Sequence, residues 1–474
     1  MRNATVKITS FSKDGFGAGE SPRADGNIDK VEVPFTAPGD EVEATLFRKR
    51  KGLYQARLES VSTPSPLRVA PRCVHFGTCG GCRWQHLSYS KQLDMKESTV
   101  HQAFEPILQP GTDVHPIIGC EEPWYYRNKM EFSFSSNKAG DRFLGLMMQG
   151  GNQRVVQLQE CHLVSSWFVD ALKATRSWWE ASGLLAYHPR RNEGSLRTLI
   201  VREGLHTGDR MAMLTVSGNP DFALDKAQIN SWVEAMKAAI TPTASGATLS
   251  LFLRIQQIAK GSPTSFYEIH LNGLDHIREK LHLSGHAEPL QCKISPSAFF
   301  QPCTKQAEKL YSRALELAGL QPDMVVFDLF CGTGTLGLAS ARKVRHVVGI
   351  ELSHEAILDA RSNAAQNDIT NIEFYPGDVA KVLAQLGESH PDLKPDLVIV
   401  DPPRAGLGEK AIAHLKAIAA PNILYVSCNP RTQATDIAEL LSAGYELEAI
   451  HPVDQFPQTI HIENIAVLRR RNPS

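Results

Sequence analysis

The chain has 474 residues, 42% of them hydrophobic and 21% charged, and its formal net charge is −1. This composition is ordinary for a globular protein of about three domains and excludes a disordered, collagen-like or strongly basic chain. No run of about 18 uncharged apolar residues is present, so we expect no membrane-spanning helix. The polar first residues predict no signal peptide, and the nine cysteines are typical of reduced thiols, metal ligands or catalysts. We therefore expect a cytoplasmic monomer.

Residues 1–64 predict a small β domain. Short strand patterns occur at 6–8, 31–33, 41–47 and 54–61, with turn residues at 14–17 and 38–40. Several short strands in so few residues predict an OB-like barrel. The basic run 48–51, near Tyr54, suits an RNA backbone and a stacked base, although a solvated hairpin tip would have the same composition.

Three cysteines follow a proline-containing linker at 64–66. Cys73, Cys79 and Cys82 form a C-x5-C-x2-C pattern in a loop with several glycines, which indicates a metal site. Structural zinc would normally show a second ligand pair close by, and none follows Cys82. A distant fourth thiolate suits an iron–sulfur cluster better, with zinc as the alternative. Judged by proximity alone, Cys120 could be that fourth ligand.

A helical pattern at 89–104 follows the cysteine loop. We expect Lys91, Gln92 and Lys96 to face solvent. Residues from about 120 to 290 predict an α+β central domain, in which 125–132 alternates like a strand. The pair Trp178 and Trp179 on a helical pattern is more typical of core than of a base-stacking platform.

The C-terminal part predicts a doubly wound α/β domain. Strand patterns at 324–330, 346–350, 371–375, 396–400 and 422–426 alternate with amphipathic helix patterns, and two closing strands follow, at 449–454 and through Leu468. Such alternation predicts a parallel sheet with ligands at the carboxyl ends of its strands. The two closing strands favour the methyltransferase variant of the Rossmann sheet over an oxidoreductase.

Chemically useful side chains stand at these strand ends. They are Glu351, Asp378, Asp401 and Cys428, so one crevice would collect them. Gly332, Gly334 and Gly337 have the G-x-G-x-x-G spacing that lets a nucleotide-like ligand approach the backbone, with an acid about 20 residues later for the ribose. Dehydrogenases share this spacing, so the glycines alone do not decide the class.

Five motifs in order resemble the RNA uridine-5-methyltransferases, which methylate ribosomal or transfer RNA. They are 297–301 (Ser-Ala-Phe-Phe-Gln), 328–334 (Asp-Leu-Phe-Cys-Gly-Thr-Gly), 401–404 (Asp-Pro-Pro-Arg), 425–430 (Tyr-Val-Ser-Cys-Asn-Pro) and 456–463 (Phe-Pro-Gln-Thr-Ile-His-Ile-Glu). The resemblance implies a TRAM domain at 1–64, an α+β iron–sulfur central domain at 65–290, and a Rossmann-like class I S-adenosylmethionine (SAM) methyltransferase domain at 291–474. It also implies that residues of about 85–116 pack on the catalytic domain and that 125–132 contacts RNA.

The same resemblance implies site residues. Cys161 joins Cys73, Cys79 and Cys82 as the fourth ligand of a [4Fe-4S] cluster. Cys428 is the nucleophile and Glu463 the general base. The methyl donor is expected to meet Gln301, Phe330, Thr335, Glu351, Asp378 and Asp401.

The chemistry of uracil explains this pair of catalytic groups. Carbon C5 is a poor nucleophile, so a thiolate must first add to C6, and a base must later remove the C5 proton. A free thiol is only a few per cent thiolate at neutral pH, so we name the helix after Pro430 and Arg431 as candidate activators of Cys428. His461 is an alternative base. We expect Cys292, Cys303 and Cys331 to be buried apolar residues.

The expected substrate is a flipped-out uridine in structured RNA, with 23S rRNA favoured and tRNA as the alternative. Two other functions are considered. One is an amino-group methyltransferase, which would need no cysteine. The other is a non-catalytic iron–sulfur RNA-binding protein.

Overall fold

The computed structural model describes residues 1–151, 154–258 and 264–471. The chain forms two compact units. The first comprises Met1–Met95, Ser133–His162 and Phe456–Ile460, and the second comprises Lys96–Phe132, Leu163–Gln455 and His461–Ser474. None of the helices formed by the described residues is long and apolar enough to cross a membrane.

The first unit begins with a closed five-stranded barrel, which confirms the predicted OB-like domain. Its strands are β1 (Arg2–Phe11), β2 (Gly17–Pro22), β3 (Ile28–Val33), β4 (Glu41–Arg50) and β5 (Leu53–Thr63), in the order β1-β2-β3-β5-β4. Alternating side chains such as Val6, Ile8 and Val42 fill its core. The sequence pattern missed β2, because its glycines conceal it. A Cβ on Gly19 would lie 2.0 Å from the Lys7 carbonyl oxygen, so this strand needs glycine to approach β1.

The basic run lies at the tip of the β4–β5 hairpin. Arg50 pairs with Leu53, and the two turn residues Lys51 and Gly52 have φ values of 49° and 83°. This is the left-handed geometry of tight two-residue hairpin turns. Residues 48–51 are exposed, and the Lys49 ammonium lies 4.8 Å from the centre of the Tyr54 ring.

The middle of the chain contributes to both units. Its elements are α1 (Tyr89–Phe104), β6 (Asp113–Val114), β7 (Lys129–Ser136), β8 (Arg142–Gly145), α2 (Ser166–Ser182), β9 (Leu196–Glu203), β10 (Arg210–Ser217), α3 (Lys226–Ala239), β11 (Leu249–Gln257) and β12 (Ser265–Asn272). In the first unit, β8 pairs with the second half of β7. In the second unit the strand order is β12-β11-β10-β9-β7, and α2 packs on α3. Trp178 and Trp179 on α2 are buried, as predicted.

The rest of the second unit is the expected parallel sheet with its helices. The elements are β13 (Ile277–Leu281), β14 (Leu290–Ile294), α4 (Thr304–Ala318), β15 (Val325–Leu329), α5 (Thr335–Ala341), β16 (His346–Glu351), α6 (His354–Gln366), β17 (Ile372–Pro376), α7 (Val379–Ser389), β18 (Leu397–Val400), α8 (Gly408–Ile418), β19 (Asn422–Ser427), α9 (Pro430–Leu441), β20 (Tyr445–Val453) and β21 (Glu463–Arg470). The sheet order is β17-β16-β15-β18-β19-β21-β20-β6. Strands β15 to β19 run parallel, and β21 and β20 close the sheet as predicted, with β21 antiparallel to β19.

Both faces of this sheet are covered, which explains its unbroken apolar strands. Val326 and Val347 belong to the core shared with α4, α5 and α6. Their neighbours Val325 and Val348 belong to the opposite core, shared with α7, α8 and α9. Phe104 at the end of α1 packs in that second core, and β6 pairs with β20.

The predicted domain limits at 64/65 and 290/291 stay predictions. Leu290 begins β14, which pairs with β13, so the second limit falls inside a hairpin. Residues 472–474, at the end of the predicted catalytic domain, lie outside the described residues.

The solvent-facing orientation predicted for helix α1 is wrong for two of three residues. Gln92 and Lys96 are 0% and 1% exposed, and only Lys91 reaches partly into solvent. Residues 92, 96, 100 and 104 recur every four positions and form one buried stripe of a helix. Gln92 and Lys96 are polar, so the buried stripe could not be recognised from side-chain polarity.

Lys96 forms a fully buried ion pair within the second unit. Its Nζ lies 2.6 Å from Oδ1 of Asp454, and both side chains have no exposed surface. Burial lowers the pKa of Lys96, and the charge of Asp454 opposes that shift. Each partner therefore depends on the other to offset its lost hydration.

Replacing Lys96 should destabilise the protein strongly. We expect Lys96→Met to lower the free energy of unfolding by about 3–5 kcal/mol, because it leaves the Asp454 carboxylate buried without its cation. Lys91→Met, which removes the surface pair with Asp94 on the same helix, should cost about 0–1 kcal/mol. Urea unfolding of both variants measures the difference, and equal losses would contradict a special role for the buried pair.

Candidate active site

The carboxyl ends of the parallel strands of the second unit carry the predicted site residues. Glu351 is the last residue of β16, and Asp401 follows β18. Cys428 follows β19, directly before the Asn429 cap of α9. Because β16, β15, β18 and β19 are neighbours in the sheet, these side chains share one edge.

The turn after β15 is shaped by left-handed backbone. Phe330 has φ 65°, a conformation uncommon for a non-glycine residue, and Gly332 has φ 55°. The Gly332 amide donates to Glu351 Oε2 at 3.1 Å, and Ser353 donates to Glu351 Oε1 at 2.8 Å. These bonds hold the Glu351 carboxylate beside the turn. Thr335, the first residue of α5, is buried.

Asp328 hydrogen-bonds to the first turn of α5. Its Oδ2 accepts a hydrogen bond from the Gly337 amide at 2.8 Å, and a Cβ at Gly337 would lie 2.8 Å from the same oxygen. The third glycine of the spacing therefore allows close helix–strand packing. Burial raises the pKa of Asp328 to about 7, and the charges of Asp401 and Glu351 add to the shift.

Asp378 lies one strand further along the sheet edge. It follows β17 and caps α7, because its Oδ1 accepts a hydrogen bond from the Lys381 amide at 3.2 Å. Leu352, next to Glu351, is 74% exposed.

Asp401, Glu463 and Cys428 form an electrostatically coupled group. Glu463 is 3% exposed, and burial raises its pKa well above the ordinary value, with the Asp401 charge adding and the Arg404 charge opposing. Burial also raises the pKa of Asp401, to about 7. The Cys428 thiol is half-buried, and its pKa is raised by burial and by the charge of Glu463. The structure thus brings the predicted nucleophile and the predicted base together.

Arg404 is the cation of this group. It hydrogen-bonds to Cys428 and lowers the pKa of that thiol, and its Nη2 lies 2.7 Å from Nδ1 of His461. The Arg404 carbonyl accepts a hydrogen bond from Asn429 Nδ2 at 3.0 Å, which ties its loop to the start of α9. The candidate activator Arg431 is not among the groups that shift the pKa of Cys428. The contact instead comes from the 401–404 motif, which precedes the cysteine by one strand.

Gln301 presents an unsatisfied acceptor. Its side chain is 4% exposed, and its Oε1 has no hydrogen-bond partner among the described residues. The same side chain hydrogen-bonds to Tyr311, whose pKa is raised by burial and by the Asp401 charge. The Gln301 carbonyl accepts from Asn128 Nδ2 at 2.8 Å. A buried acceptor held in this way fits an amino or imino donor of a ligand.

Two residues near these groups were not singled out from the sequence. Tyr311 lies on α4, far from any motif, and only its contacts reveal it. Phe299 is 69% exposed, although it lies in the 297–301 motif beside buried Gln301.

The four cysteines predicted as cluster ligands all belong to the first unit. The pKa of the Cys82 thiol is raised to about 12 by burial and by the charges of Cys161, Cys79 and Cys73. Contacts between their segments explain this proximity. The Gln159 amide donates to His75 Nε2 at 3.0 Å, which occupies that ring nitrogen, and the Val74 amide donates to Glu160 Oε1 at 2.9 Å.

Cys120, the other cysteine considered, belongs to the second unit. Its thiol hydrogen-bonds to Cys303, which is buried, and lies 3.1 Å from the Glu122 carbonyl oxygen. Cys292 is buried as expected, and Cys331 is half-buried against the same core.

Comparisons with known proteins identify matching families and relatives of the chain. Residues 247–471 match the family described as tRNA (Uracil-5-)-methyltransferase, and residues 4–67 match the TRAM domain of tRNA (uracil(54)-C(5))-methyltransferase. A protein of Protochlamydia amoebophila named an uncharacterized RNA methyltransferase is 54% identical over 441 residues, covering 92% of this chain and 99% of its own. A Chlamydia pneumoniae protein of similar name is 36% identical over 400 residues, covering 84% and 98%.

A solved structure agrees over nearly the whole chain. It is the tRNA (uracil-54, C5)-methyltransferase of Pyrococcus abyssi in complex with S-adenosyl-L-homocysteine, with a TM-score of 0.72 and 25% identity, covering 98% of this chain and 100% of that one. The resemblance drawn from the five motifs is confirmed, and the chain is a member of the SAM-dependent RNA (uracil-5-)-methyltransferase family.

Proposed function

We propose that the protein methylates C5 of a specific uridine in structured RNA through a covalent bond between Cys428 and C6 of the base. The observation that supports this most directly is the grouping of Cys428, Glu463 and Arg404 at one end of the sheet. An amino-group methyltransferase has no use for a thiol beside a buried carboxylate.

The reaction begins at Cys428. After its proton has passed to solvent, the thiolate forms a bond to C6, and the electron pair of the C5–C6 double bond becomes available at C5. SAM, when bound, supplies an electrophilic methyl group on a sulfonium sulfur. Arg404 favours the thiolate form, because its hydrogen bond and charge lower the pKa that burial raises.

Glu463 completes the reaction. Its carboxylate accepts the proton from the methylated C5, the electron pair of that C–H bond restores the C5–C6 double bond, and the thiolate leaves C6. Burial and the Asp401 charge raise the pKa of Glu463, which makes it a stronger proton acceptor once it is ionised.

The methyl donor fits the remaining site residues. We propose Glu351 for the ribose hydroxyls, Asp378 for the adenine side, and the backbone near Phe330 and Thr335 for the methionine part. The unsatisfied Gln301 Oε1 suits a donor group of the cofactor or of the uracil. In this arrangement Asp401 lies between the methyl donor and the uracil.

The first unit is proposed to bind RNA and to hold a [4Fe-4S] cluster on Cys73, Cys79, Cys82 and Cys161. The charges of Cys161, Cys79 and Cys73 oppose ionisation of Cys82, and a cationic cluster would offset them. The exposed basic hairpin tip at 48–51 suits the RNA backbone. A flipped uridine costs a few kcal/mol, which RNA contacts elsewhere would offset.

We propose that the protein acts in the cytoplasm as a monomer, and we consider two RNA substrates. The arrangement of a TRAM domain followed by a cysteine cluster resembles the large-subunit rRNA enzymes and favours 23S rRNA, whereas the likeness to the P. abyssi enzyme supports a tRNA. Mapping 5-methyluridine in rRNA and tRNA of a deletion strain distinguishes them, since the mark should vanish from only one.

RNA carrying 5-fluorouridine should trap the covalent complex. Fluorine replaces the hydrogen at C5, so the base has no proton to remove and the adduct cannot break down. We therefore expect an SDS-resistant protein–RNA band with the wild type and SAM. Cys428→Ala should abolish it and lower methylation on the order of 10³-fold or more. Cys292→Ala, a buried cysteine outside the site, serves as the control and should retain the band. Methylation that survives in Cys428→Ala would favour an amino-group methyltransferase, and an RNA-binding protein without activity would give neither band nor methylation.

Replacing Glu463 should stop the reaction after methyl transfer. Glu463→Gln cannot take the C5 proton, so we expect a methylated, SDS-resistant adduct to accumulate on ordinary uridine RNA while turnover falls about 10²–10⁴-fold. Glu448→Gln, an exposed acid on neighbouring β20, should behave like the wild type. Normal product release by Glu463→Gln would remove this residue from the base role.

The cluster can be tested directly. An anaerobic preparation should be brown and contain about four iron atoms per chain. Cys82→Ser should lose iron and colour, whereas Cys120→Ser, in the second unit, should keep both. A colourless protein that contains zinc would refute the cluster.

A further inference from the structure

The segment Phe456–Ile460 is part of the first unit, although residues on both sides of it belong to the second. It directly precedes the proposed base, since only His461 and Ile462 separate Ile460 from Glu463. Contacts that fix this segment therefore influence the position of Glu463.

Several hydrogen bonds hold Gln458, in the middle of the segment. Its carbonyl oxygen accepts hydrogen bonds from the amides of Arg83 and Trp84 at 2.8 and 3.1 Å. These two residues follow Cys82, the last cysteine of the C-x5-C-x2-C loop. Gln458 is 2% exposed and has φ 67°, a conformation that L side chains rarely adopt, so the surrounding contacts must maintain it.

Gln92 completes the arrangement from helix α1. Its Oε1 accepts from the Gln458 amide at 2.9 Å, and its Nε2 donates to Gln458 Oε1 at 2.9 Å. The same Nε2 lies 3.1 Å from the carbonyl oxygens of Trp84 and Leu87. One fully buried amide thus joins the helix, the end of the cysteine loop and the segment before Glu463.

Apolar contacts reinforce these bonds. Ile460 packs in a small cluster with Trp84 and Leu87, and a Cβ on Gly15 would lie 2.3 Å from Ile460 Cγ2. The Trp84 indole donates to the Gly15 carbonyl oxygen at 2.9 Å. Breaking the polar contacts would leave Gln458 amide and carbonyl groups buried without partners, which is unfavourable.

We propose that Gln92 and Gln458 are positioning residues for Glu463, and that through them the cysteine loop controls the step in which the C5 proton is removed. This rests on the proposed function of Glu463 as base. The cysteine loop then serves catalysis as well as RNA binding. A disordered loop would lose its hydrogen bonds to Gln458, and the Glu463 carboxylate would become more mobile.

Gln92→Leu tests the proposal, with Gln102→Leu on the exposed side of the same helix as its control. In the iron-loaded protein without RNA, we expect Gln92→Leu to speed hydrogen exchange of the amides of 456–460 by about tenfold. On ordinary uridine RNA, a methylated adduct should accumulate and product release should slow by about tenfold. RNA affinity, iron content and the trapping rate on 5-fluorouridine RNA should stay within about twofold of wild type.

Gln458→Leu is a milder variant, because it keeps the backbone bonds and removes only the bond from Gln92 Nε2. It should show the same changes at smaller size. Faster exchange with unchanged product release in both variants would overturn the proposal. So would weaker RNA binding and trapping without any adduct on ordinary RNA, since that pattern belongs to a purely structural role. Absence of trapping in the wild type would instead refute the proposed function itself.

Discussion

The electrostatics of the candidate active site depend on two carboxyl groups, those of Asp401 and Glu463, near the guanidinium of Arg404. The charge of Asp401 raises the pKa of Glu463, and both carboxylates raise the pKa of Cys428. Arg404 lowers the pKa of Glu463 and of Cys428. In a medium that hydrates charge poorly, two like charges and a thiolate cannot coexist without a nearby cation. The Asp-Pro-Pro-Arg motif supplies one of these acids, Asp401, and that cation, Arg404, from a single loop.

The fold and the strand-end residues could be predicted because each follows from a local pattern. Unbroken apolar strands alternating with amphipathic helices determine a parallel sheet, and parallel strands bring their carboxyl ends to one edge. Glu351, Asp401 and Cys428 could therefore be placed together from their sequence positions. Glu463 was harder, because it begins a strand that runs the other way, and its assignment came from the family resemblance.

Other features could not be predicted because they depend on partners distant in sequence. Lys96 and Gln92 have the composition of a solvent-facing helix side, and only the contacts with Asp454 and Gln458 explain their burial. Tyr311 enters the site through packing of α4. Strand β2 of the barrel was missed because the glycine that lets it approach β1 has a low strand propensity.

The discontinuous composition of the first unit has a consequence for how the chain is made. Its barrel and cysteine loop are synthesised long before the five residues, Phe456–Ile460, that complete it. During translation, the amides of Arg83 and Trp84 cannot bond to the Gln458 carbonyl until residue 458 has been synthesised and has left the ribosome. Maturation of the N-terminal half is thereby coupled to completion of the C-terminal half, and a prematurely terminated product would carry an unfinished first unit.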